Sequence, residues 1–471
     1  MDLSCFLLIL SLLYSGSAET TRHPNKVVSL PGAPLYPEIN LFSGYLNGSS
    51  NDTAAPIFYV LAEAIRVDPS TAPLLIWFNG GPGASSLGAF FKEHGPYRLA
   101  ESGSLSYHEF SWNQYANVLY LESPLGVGFS QNNQGDLTLN DLDAAEINFN
   151  SLKDFMAKAH PNYADRDYYL TGQSYAGAYV PYFARRILKG IESKEMTNIN
   201  FKGFAIGDPV FEDVSREISN LLKYLGYGLL PLSKSKMILA SILKYEKGKK
   251  LNKNELKKIS SLHSEIIEKY ITWDSPAQYN FIEHCYTNSE FENYHGSSMR
   301  NAIACFGGDA LLSYMNRDDV QLAFNVGNTK VNWTTINRDI ADYLFLRDGD
   351  VSPVYNDIFR LTDGSSFRVL IYNGDTDMMI SPHHTLFNMD KIAKANSFKH
   401  LGTTPWTFFS DFAGVRNNYK NGNVTVDVLT VRGAGHSVPT DLPAQAFQMI
   451  HNFIFTEDNH AIDYSKPIRK H

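Results

Sequence analysis

One serine in this sequence follows a strand-like pattern and precedes a helix-like one, a position suited to a nucleophile. Residues 168–173 form a short β-like run, Ser174 follows directly, and a helix-like run starts near Ala176. A serine on a sharp strand-to-helix turn projects clear of its neighbours, and the next backbone N–H stays free to bind an oxyanion. Because Ala176 stands where glycine is usual, the pentapeptide alone leaves an ordinary turn as the alternative.

A glycine-rich loop earlier in the chain is suited to supply oxyanion donors. Residues 79–83 contain three glycines and directly follow residues 73–78, a near-continuous apolar run typical of a buried parallel strand. Glycines let the backbone approach a ligand closely and point N–H groups at it. We therefore predict a donor loop here, with a purely structural turn as the alternative.

An acid and a base follow two later strand patterns. Asp375 and Asp377 come after the apolar run 368–372, and His436 lies beyond the β-like run 424–431. The chain order serine, aspartate, histidine is that of α/β-hydrolases rather than of chymotrypsin or subtilisin. Two aspartates in a turn can also be Asx-turn formers, and the chain order does not choose between them.

Taken together, these segments resemble the serine carboxypeptidase family. The resemblance is carried by four segments: Trp77–Ser86, Gly172–Pro181, Asn373–Asp377 and Gly433–His436. Glu93–Tyr97 and Ala205–Asp208 most resemble its vitellogenic-carboxypeptidase-like branch. The resemblance covers nearly the whole mature chain. It implies an α/β-hydrolase fold, in which a mostly parallel mixed sheet is flanked by helices and an inserted, largely helical cap lies above it.

The resemblance also implies roles for individual residues. The catalytic triad is Ser174, Asp377 and His436, and the oxyanion donors are the backbone N–H groups of Gly81 and Tyr175. The substrate's C-terminal carboxylate is bound by a set of four side chains: Trp77, Asn79, Glu93 and Gln173. Such a site removes C-terminal amino acids from peptides through an acyl-enzyme and needs no cofactor.

Gln173 departs from the family pattern, which has a second glutamate at this position. A glutamine amide donates hydrogen bonds without first being protonated, so recognition of a carboxylate can survive the change. The change can equally mark a shift to ester hydrolysis or acyl transfer. A non-catalytic protective or binding glycoprotein is a third hypothesis, against which the complete triad argues.

Composition limits the classes of partner. The chain has 471 residues, 44% hydrophobic and 19% charged, with a formal net charge of −8. This composition suits a large folded core, and it is too polar for a membrane protein. The mild negative charge argues against nucleic acid. No cluster has the spacing of a metal site. We expect peptides with a free C-terminus as substrates and allow for a homodimer.

The N-terminus and the sequons indicate the secretory route. An apolar run over residues 5–13 precedes small residues ending at Ala18, which predicts a signal peptide over residues 1–18; a disordered or buried N-terminus is the alternative. Four Asn-x-Ser/Thr sequons are candidate glycosylation sites: Asn47, Asn51, Asn332 and Asn423. We expect a secreted, lysosomal or vacuolar protein without a membrane span in its mature chain.

Only two cysteines would remain after the signal peptide is removed. We expect Cys285 and Cys305 to form one disulfide in an oxidising compartment, closing a loop worth about 3 kcal/mol. Two buried free thiols are the alternative.

The remaining patterns divide the chain into a core in two parts, 19–208 and 315–471, with the cap at 209–314. An antiparallel entry is predicted over residues 38–62 and a strand at 117–121. A helix from about Asn140 should bury Leu142 and the apolar residues that follow at helical spacing. Strand 201–206 precedes the Lys-rich, helix-like cap, and a closing helix is predicted over residues 441–455.

Overall fold

The computed structural model describes most of the chain. The described residues are 25–49, 55–100, 102–130, 138–247, 249, 251–271, 279–282, 285–286, 303–304, 308–327, 330–458 and 460–468. The signal peptide, Asn51, Cys305 and the side chain of Cys285 lie outside them. The predicted disulfide therefore stays a prediction.

Seventeen β-strands are present in the described ranges. They are β1 Lys26–Val27, β2 Leu41–Asn47, β3 Pro56–Ala62, β4 Leu74–Phe78, β5 Tyr97–Leu99, β6 Leu105–Tyr107, β7 Asn117–Leu121, β8 Leu139–Asn140, β9 Asp167–Gln173, β10 Asn200–Gly207, β11 Cys285–Tyr286, β12 Ile303–Ala304, β13 Phe345–Leu346, β14 Phe367–Gly374, β15 Lys399–Phe408, β16 Asp411–Asn421 and β17 Val424–Val431.

Eleven of these strands form one twisted sheet in the order β1-β2-β3-β7-β4-β9-β10-β14-β17-β16-β15. The six central strands, from β7 to β17, run parallel to one another. Antiparallel strands complete both edges. β4 and β7 are buried at every position, as expected of parallel strands covered on both faces.

Helices cover the two faces of the sheet. In the described ranges the α-helices are α1 Leu87–Lys92, α2 Asp141–Asp154, α3 Ala176–Glu192, α4 Asp213–Gly226, α5 Ser235–Glu246, α6 Lys253–Ile266, α7 Gly308–Met315, α8 Asp318–Ala323, α9 Ser352–Leu361, α10 Pro382–Ala395, α11 Val438–Asp441 and α12 Pro443–Phe455. Two large apolar clusters, one including Phe149 and Phe183 and the other Phe90 and Phe453, form the core. None of these helices is both long and apolar enough to cross a membrane.

Helices α4, α5 and α6 follow β10 and have an apolar cluster of their own. Ile218, Tyr224 and Ile259 are buried in it. Met378, from the loop after β14, belongs to the same cluster, so the insertion packs against that strand's C-terminal end. Helix α7 instead contributes Leu311 to a cluster of the main sheet. The domain boundaries given above remain predictions.

Most predicted elements are present, with three differences. Asn140 caps α2 through a capping box, but Leu142 is 53% exposed and does not belong to the buried face. The closing helix α12 begins at Pro443, after the separate turn α11. The long antiparallel pair β15–β16 was not predicted, because only four of its 21 residues are buried and its sequence shows no alternation of apolar and polar residues.

Candidate active site

The candidate site lies where the parallel strands end. Polar side chains follow the C-terminal ends of all six: Asn79 after β4, Glu122 after β7, Ser174 after β9, Asp208 after β10, Asp377 after β14 and His436 after β17. Carboxyl ends of parallel strands meet at one edge of a sheet, which is where open α/β sheets bind ligands. The topology therefore gathers residues that are up to 357 positions apart in sequence, from Asn79 to His436.

Ser174 sits on a strained turn between β9 and α3. Its φ angle is +64°, in the left-handed region that few residues other than glycine adopt. Its backbone is fixed by its N–H, which donates to Gly207 O at 2.9 Å, and by its carbonyl, which accepts from Val210 N at 3.1 Å. A strained nucleophile elbow of this kind is what presents the serine in α/β-hydrolases.

Ala176 fits this turn because of the glycine at 172. A Cβ at Gly172 would lie 2.6 Å from the Ala176 Cβ and 2.7 Å from Phe78 O. The close approach of strand and helix therefore uses Gly172, and Ala176 is accommodated where a glycine is usual.

The glycine loop after β4 lies directly against the elbow. A Cβ at Gly80 would be 2.4 Å from Tyr175 N and 2.8 Å from Ser174 Cβ, so a larger residue would push the two segments apart. Gly81 has φ +107°. In the described part of the chain, the backbone N–H groups of Gly81 and Tyr175 donate to no protein acceptor. Both predicted oxyanion donors are therefore free to bind a ligand.

His436 and Asp377 are hydrogen-bonded to each other. His436 Nδ1 lies 2.8 Å from Asp377 Oδ2, and both side chains are buried. Asp377 Oδ1 accepts from Met379 N at 2.7 Å. Burial lowers the pKa of His436, but the Asp377 carboxylate, with smaller contributions from Glu93 and Asp441, outweighs this effect and the net pKa is raised. Asp375, the other candidate acid, accepts instead from Gly433 N at 2.7 Å.

The four residues predicted to bind a carboxylate form one hydrogen-bonded chain. Trp77 Nε1 donates to Asn79 Oδ1 at 2.5 Å. Asn79 Nδ2 and Gln173 Nε2 both donate to Glu93 Oε1, at 3.3 and 3.0 Å. Gln173 Nε2 also lies 3.3 Å from Ser437 Oγ, beside His436. The structure thus places this chain between the serine elbow and the histidine loop.

Glu93 is the member of this chain that has a side-chain oxygen without a hydrogen bond. Its Oε2 atom is buried and has no hydrogen-bond partner. Burial raises the pKa of Glu93 to about 7, although the hydrogen bond from Asn79 opposes the shift. Since Oε1 already accepts two hydrogen bonds, the proton of the neutral acid belongs on Oε2.

Glu122 was not predicted as a site residue. It is fully buried and accepts hydrogen bonds from Ser85 Oγ, from Phe129 N at 2.8 Å and from Trp333 Nε1 at 3.3 Å. Ser85 belongs to the turn after the glycine loop, so its hydrogen bond to Glu122 fixes the end of that loop. Burial raises the pKa of Glu122 to about 7, against these three donors.

We expect Glu122→Gln to change how stability depends on pH. The folded pKa lies above the unfolded value, so the wild type loses stability as pH rises from about 4.5 to above 7. The variant cannot ionise, and its stability relative to wild type should improve by roughly 3 kcal/mol between pH 4 and pH 8. In the variant, the amide NH₂ group can donate to Ser85 Oγ, and the amide oxygen can still accept from Phe129 N and Trp333 Nε1.

Urea unfolding of both proteins at the two pH values measures this difference. The matched control is Glu192→Gln, which removes a carboxyl group at the exposed end of α3 and leaves Glu122 in place. An equal difference for both variants would contradict the assignment.

Asp208 and Lys223 were also not predicted as site residues. Asp208 directly follows β10, and its carboxyl group lies within 4.8 Å of ligand atoms of Asp377 and His436. Lys223, on α4, donates from Nζ to the backbone carbonyl of Asp377. A polar residue immediately after a buried parallel strand was a usable signal for Asp208. No sequence signal connects Lys223 with the site.

A solved structure shares the fold of this chain. A solved structure of Kex1(delta)p, a prohormone-processing carboxypeptidase from Saccharomyces cerevisiae, superposes with a TM-score of 0.73. It covers 91% of this chain and 95% of that one at 20% identity. This likeness, with the large mixed sheet flanked by helices, confirms the predicted α/β-hydrolase fold.

Sequence relatives extend over nearly the whole chain. Serine carboxypeptidase ctsa-3.2 of Caenorhabditis elegans is 32% identical over 497 aligned residues, covering 94% of this chain and 96% of the relative. The lysosomal protective protein of Mus musculus is 27% identical, with 97% and 98% covered. A family model described as serine carboxypeptidase matches residues 31–456. The chain therefore belongs to the serine carboxypeptidase family of serine-type hydrolases.

Proposed function

We propose that this protein removes C-terminal amino acids from peptides through a triad of Ser174, His436 and Asp377. The observation that carries the proposal is the hydrogen-bonded chain from Trp77 through Asn79 and Glu93 to Gln173, which ends beside the serine elbow. A triad alone serves any acyl transfer, whereas a receptor for a free carboxylate restricts cleavage to the last peptide bond.

The chemistry proceeds in two stages. His436 removes the proton of Ser174 as the serine oxygen attacks the scissile carbonyl, and Asp377 holds the imidazole and stabilises its charged form. The N–H groups of Gly81 and Tyr175 bind the oxyanion, a contribution of about 3 kcal/mol for each donor. The terminal amino acid leaves with the proton from His436, and water then hydrolyses the acyl-enzyme by the same groups. No step calls for a cofactor.

Glu93 binds the substrate carboxylate only in its neutral form. Its Oε2 proton points to no protein acceptor and is free to donate to the substrate. Both N–H groups of Gln173 are used, on Glu93 and Ser437, so Gln173 orients Glu93 and leaves one fewer acid to protonate. Peptide cleavage should decline as pH rises through about 7, the pKa of Glu93.

A matched pair of peptides tests the proposal. The purified protein, incubated at pH 5 with a peptide bearing a free C-terminus, should release free amino acids one at a time. The same peptide with a C-terminal amide should be cleaved far more slowly, because it offers no carboxylate to Glu93. Cleavage of both at equal rates, or of neither, would reject the carboxypeptidase assignment.

Gln173 also favours a second candidate, an esterase or acyltransferase that uses the same triad. With one family glutamate replaced, Glu93 is the one acid in the predicted carboxylate-binding set. Turnover of esters together with inert free-terminus peptides would support this candidate over the first.

We expect Gln173→Glu to shift the alkaline limb of peptide cleavage downward. The variant places a second carboxyl next to Glu93, and the substrate adds a third, so one more proton must be retained to avoid adjacent like charges. The limb should move by about one pH unit, equivalent to about 1.4 kcal/mol. The measurement is kcat/KM against pH for a peptide substrate.

An ester without a free carboxylate is the control for this shift. Its pH profile reports His436 and should move less, since Gln173 contacts Glu93 and Ser437 rather than the imidazole. If the two profiles move together, Gln173 does not act through carboxylate recognition.

We also propose passage through the secretory route. Three of the four sequon asparagines have exposed side chains, to which a glycan can be attached: Asn47, Asn332 and Asn423. The similarity to a protein named for the lysosome supports the same route. Secretion, lysosomal delivery and a homodimer all remain compatible with this proposal.

A further inference from the structure

Asp208 lies against the proposed triad without belonging to it. It follows β10, is fully buried, and has φ +46°, a left-handed conformation that aspartate and asparagine tolerate better than most residues. Its carboxyl group lies beside the Asp377 carboxyl group, with an oxygen of each within 4.8 Å of the other. Two buried carboxylates this close cannot both stay ionised unless a cation lies between them.

The hydrogen bonds show which of the two carries the proton. Both Asp377 oxygens accept hydrogen bonds, from Met379 N and from His436. Asp208 Oδ1 accepts from Gly374 N at 3.0 Å and from Asn373 Nδ2 at 3.2 Å. Asp208 Oδ2 is buried and has no donor. Of the four oxygens, only Asp208 Oδ2 is left to carry a proton.

The surrounding groups do not supply the missing cation. The ammonium group of Lys223 interacts with both carboxyl groups, but it donates to the backbone carbonyl of Asp377, and burial lowers its pKa to about 8. Tyr372, on β14, is a buried neutral phenol whose pKa is raised by burial. His436 is committed to Asp377. Burial and the Asp377 charge together hold the pKa of Asp208 well above its usual range.

We propose that Asp208 is a protonated carboxylic acid that donates a hydrogen bond from Oδ2 to the Asp377 carboxylate. It is a positioning residue: it fixes the Asp377 carboxylate and keeps the negative charge on the acid that faces His436. A neutral acid at this position does what an asparagine amide would do. The inference rests on the proposed triad.

Two substitutions either keep or remove the proposed donor. Asp208→Asn keeps a donor, and Asp208→Gly removes it while suiting the positive φ angle. We expect Asp208→Asn to keep kcat/KM for an ester within about threefold of wild type. Asp208→Gly should lose about tenfold, the worth of one hydrogen bond to a charged group.

The acid limb of the pH profile of kcat/KM for the same ester is a second measurement. Partial misfolding would lower the rate without moving this limb along the pH axis. Without the donor, the Asp377 carboxylate is more basic and stabilises the His436 cation more strongly. The limb should therefore move up by about one pH unit in Asp208→Gly and stay in place in Asp208→Asn. Equal losses in both variants, or an unmoved limb in Asp208→Gly, would overturn the proposal.

Infrared spectroscopy tests the proton directly and does not depend on activity. The difference spectrum between wild type and Asp208→Asn at neutral pH should contain the carbonyl band of a protonated carboxyl group. Asp427→Asn is the matched control, because buried Asp427 accepts from Arg416 at 2.7 Å and should contribute only carboxylate bands. A carboxylate band for Asp208 would overturn the proposal. An inactive wild type that shows the protonated band would instead count against the proposed function.

Discussion

Ser174→Ala should lower hydrolysis of peptides and esters by on the order of 10⁶-fold, the loss seen when the nucleophile of a working triad is removed. The variant should fold normally. The serine side chain is partly exposed on the elbow, and its removal leaves the hydrogen bonds that fix the turn, which come from the backbone, intact. We expect its free energy of unfolding to stay within about 1 kcal/mol of wild type.

A fluorophosphonate probe distinguishes loss of the nucleophile from loss of the fold. Wild type should be labelled at Ser174, and Ser174→Ala should not be labelled at all. Ser241→Ala is the matched control, since Ser241 lies on α5 and bonds only to Met237 of its own helix. Labelling of Ser174→Ala, or activity near wild type, would reject Ser174 as the nucleophile.

Asp377→Asn should lower kcat by about 10⁴-fold while the geometry of the site is retained, which is the second large effect that we expect. The Met379 N–H donates to Oδ1, so the amide oxygen of the variant must take that position. Its NH₂ group then faces His436 Nδ1, which must accept rather than donate. The imidazole is held in the wrong tautomer, with its proton on the nitrogen that should receive the serine proton.

The neighbouring aspartate supplies the control. Asp375→Asn changes a carboxylate two residues away that accepts a hydrogen bond from Gly433 N and does not contact the imidazole. We expect it to stay within about tenfold of wild type. Comparable losses in the two variants would remove the basis for choosing Asp377 as the acid.

The strands that could be predicted are those whose own residues form a run of buried apolar side chains. The runs 117–121 and 424–431 are predicted and observed with the same bounds, because their apolar residues face cores on both sides. β15 and β16 were missed because their pairing with β17 and with each other, not burial of their side chains, holds them. Leu142 was assigned to a buried face by its spacing, although it points to solvent.

The same limit applies to the candidate site. Motifs singled out the serine, the glycine loop and the histidine because each has a local signature. Lys223 has none, and Asp208 has only its position directly after a buried strand. Their contacts with the acid loop arise only when β10 pairs with β14 and α4 packs against that loop. The choice of Asp377 over Asp375 likewise came from family resemblance, and the contact with His436 supports it.

The spread of the site along the chain has a consequence for biosynthesis. The serine elbow is made before residue 180, whereas the proposed base at residue 436 is placed only after β17 pairs with β14. Synthesis proceeds from the N-terminus, so a nascent chain holds its nucleophile for more than half of translation without the group that activates it. On the proposed mechanism, a ribosome-bound or truncated chain is chemically silent, and hydrolytic activity reports that the last parallel strand has been inserted.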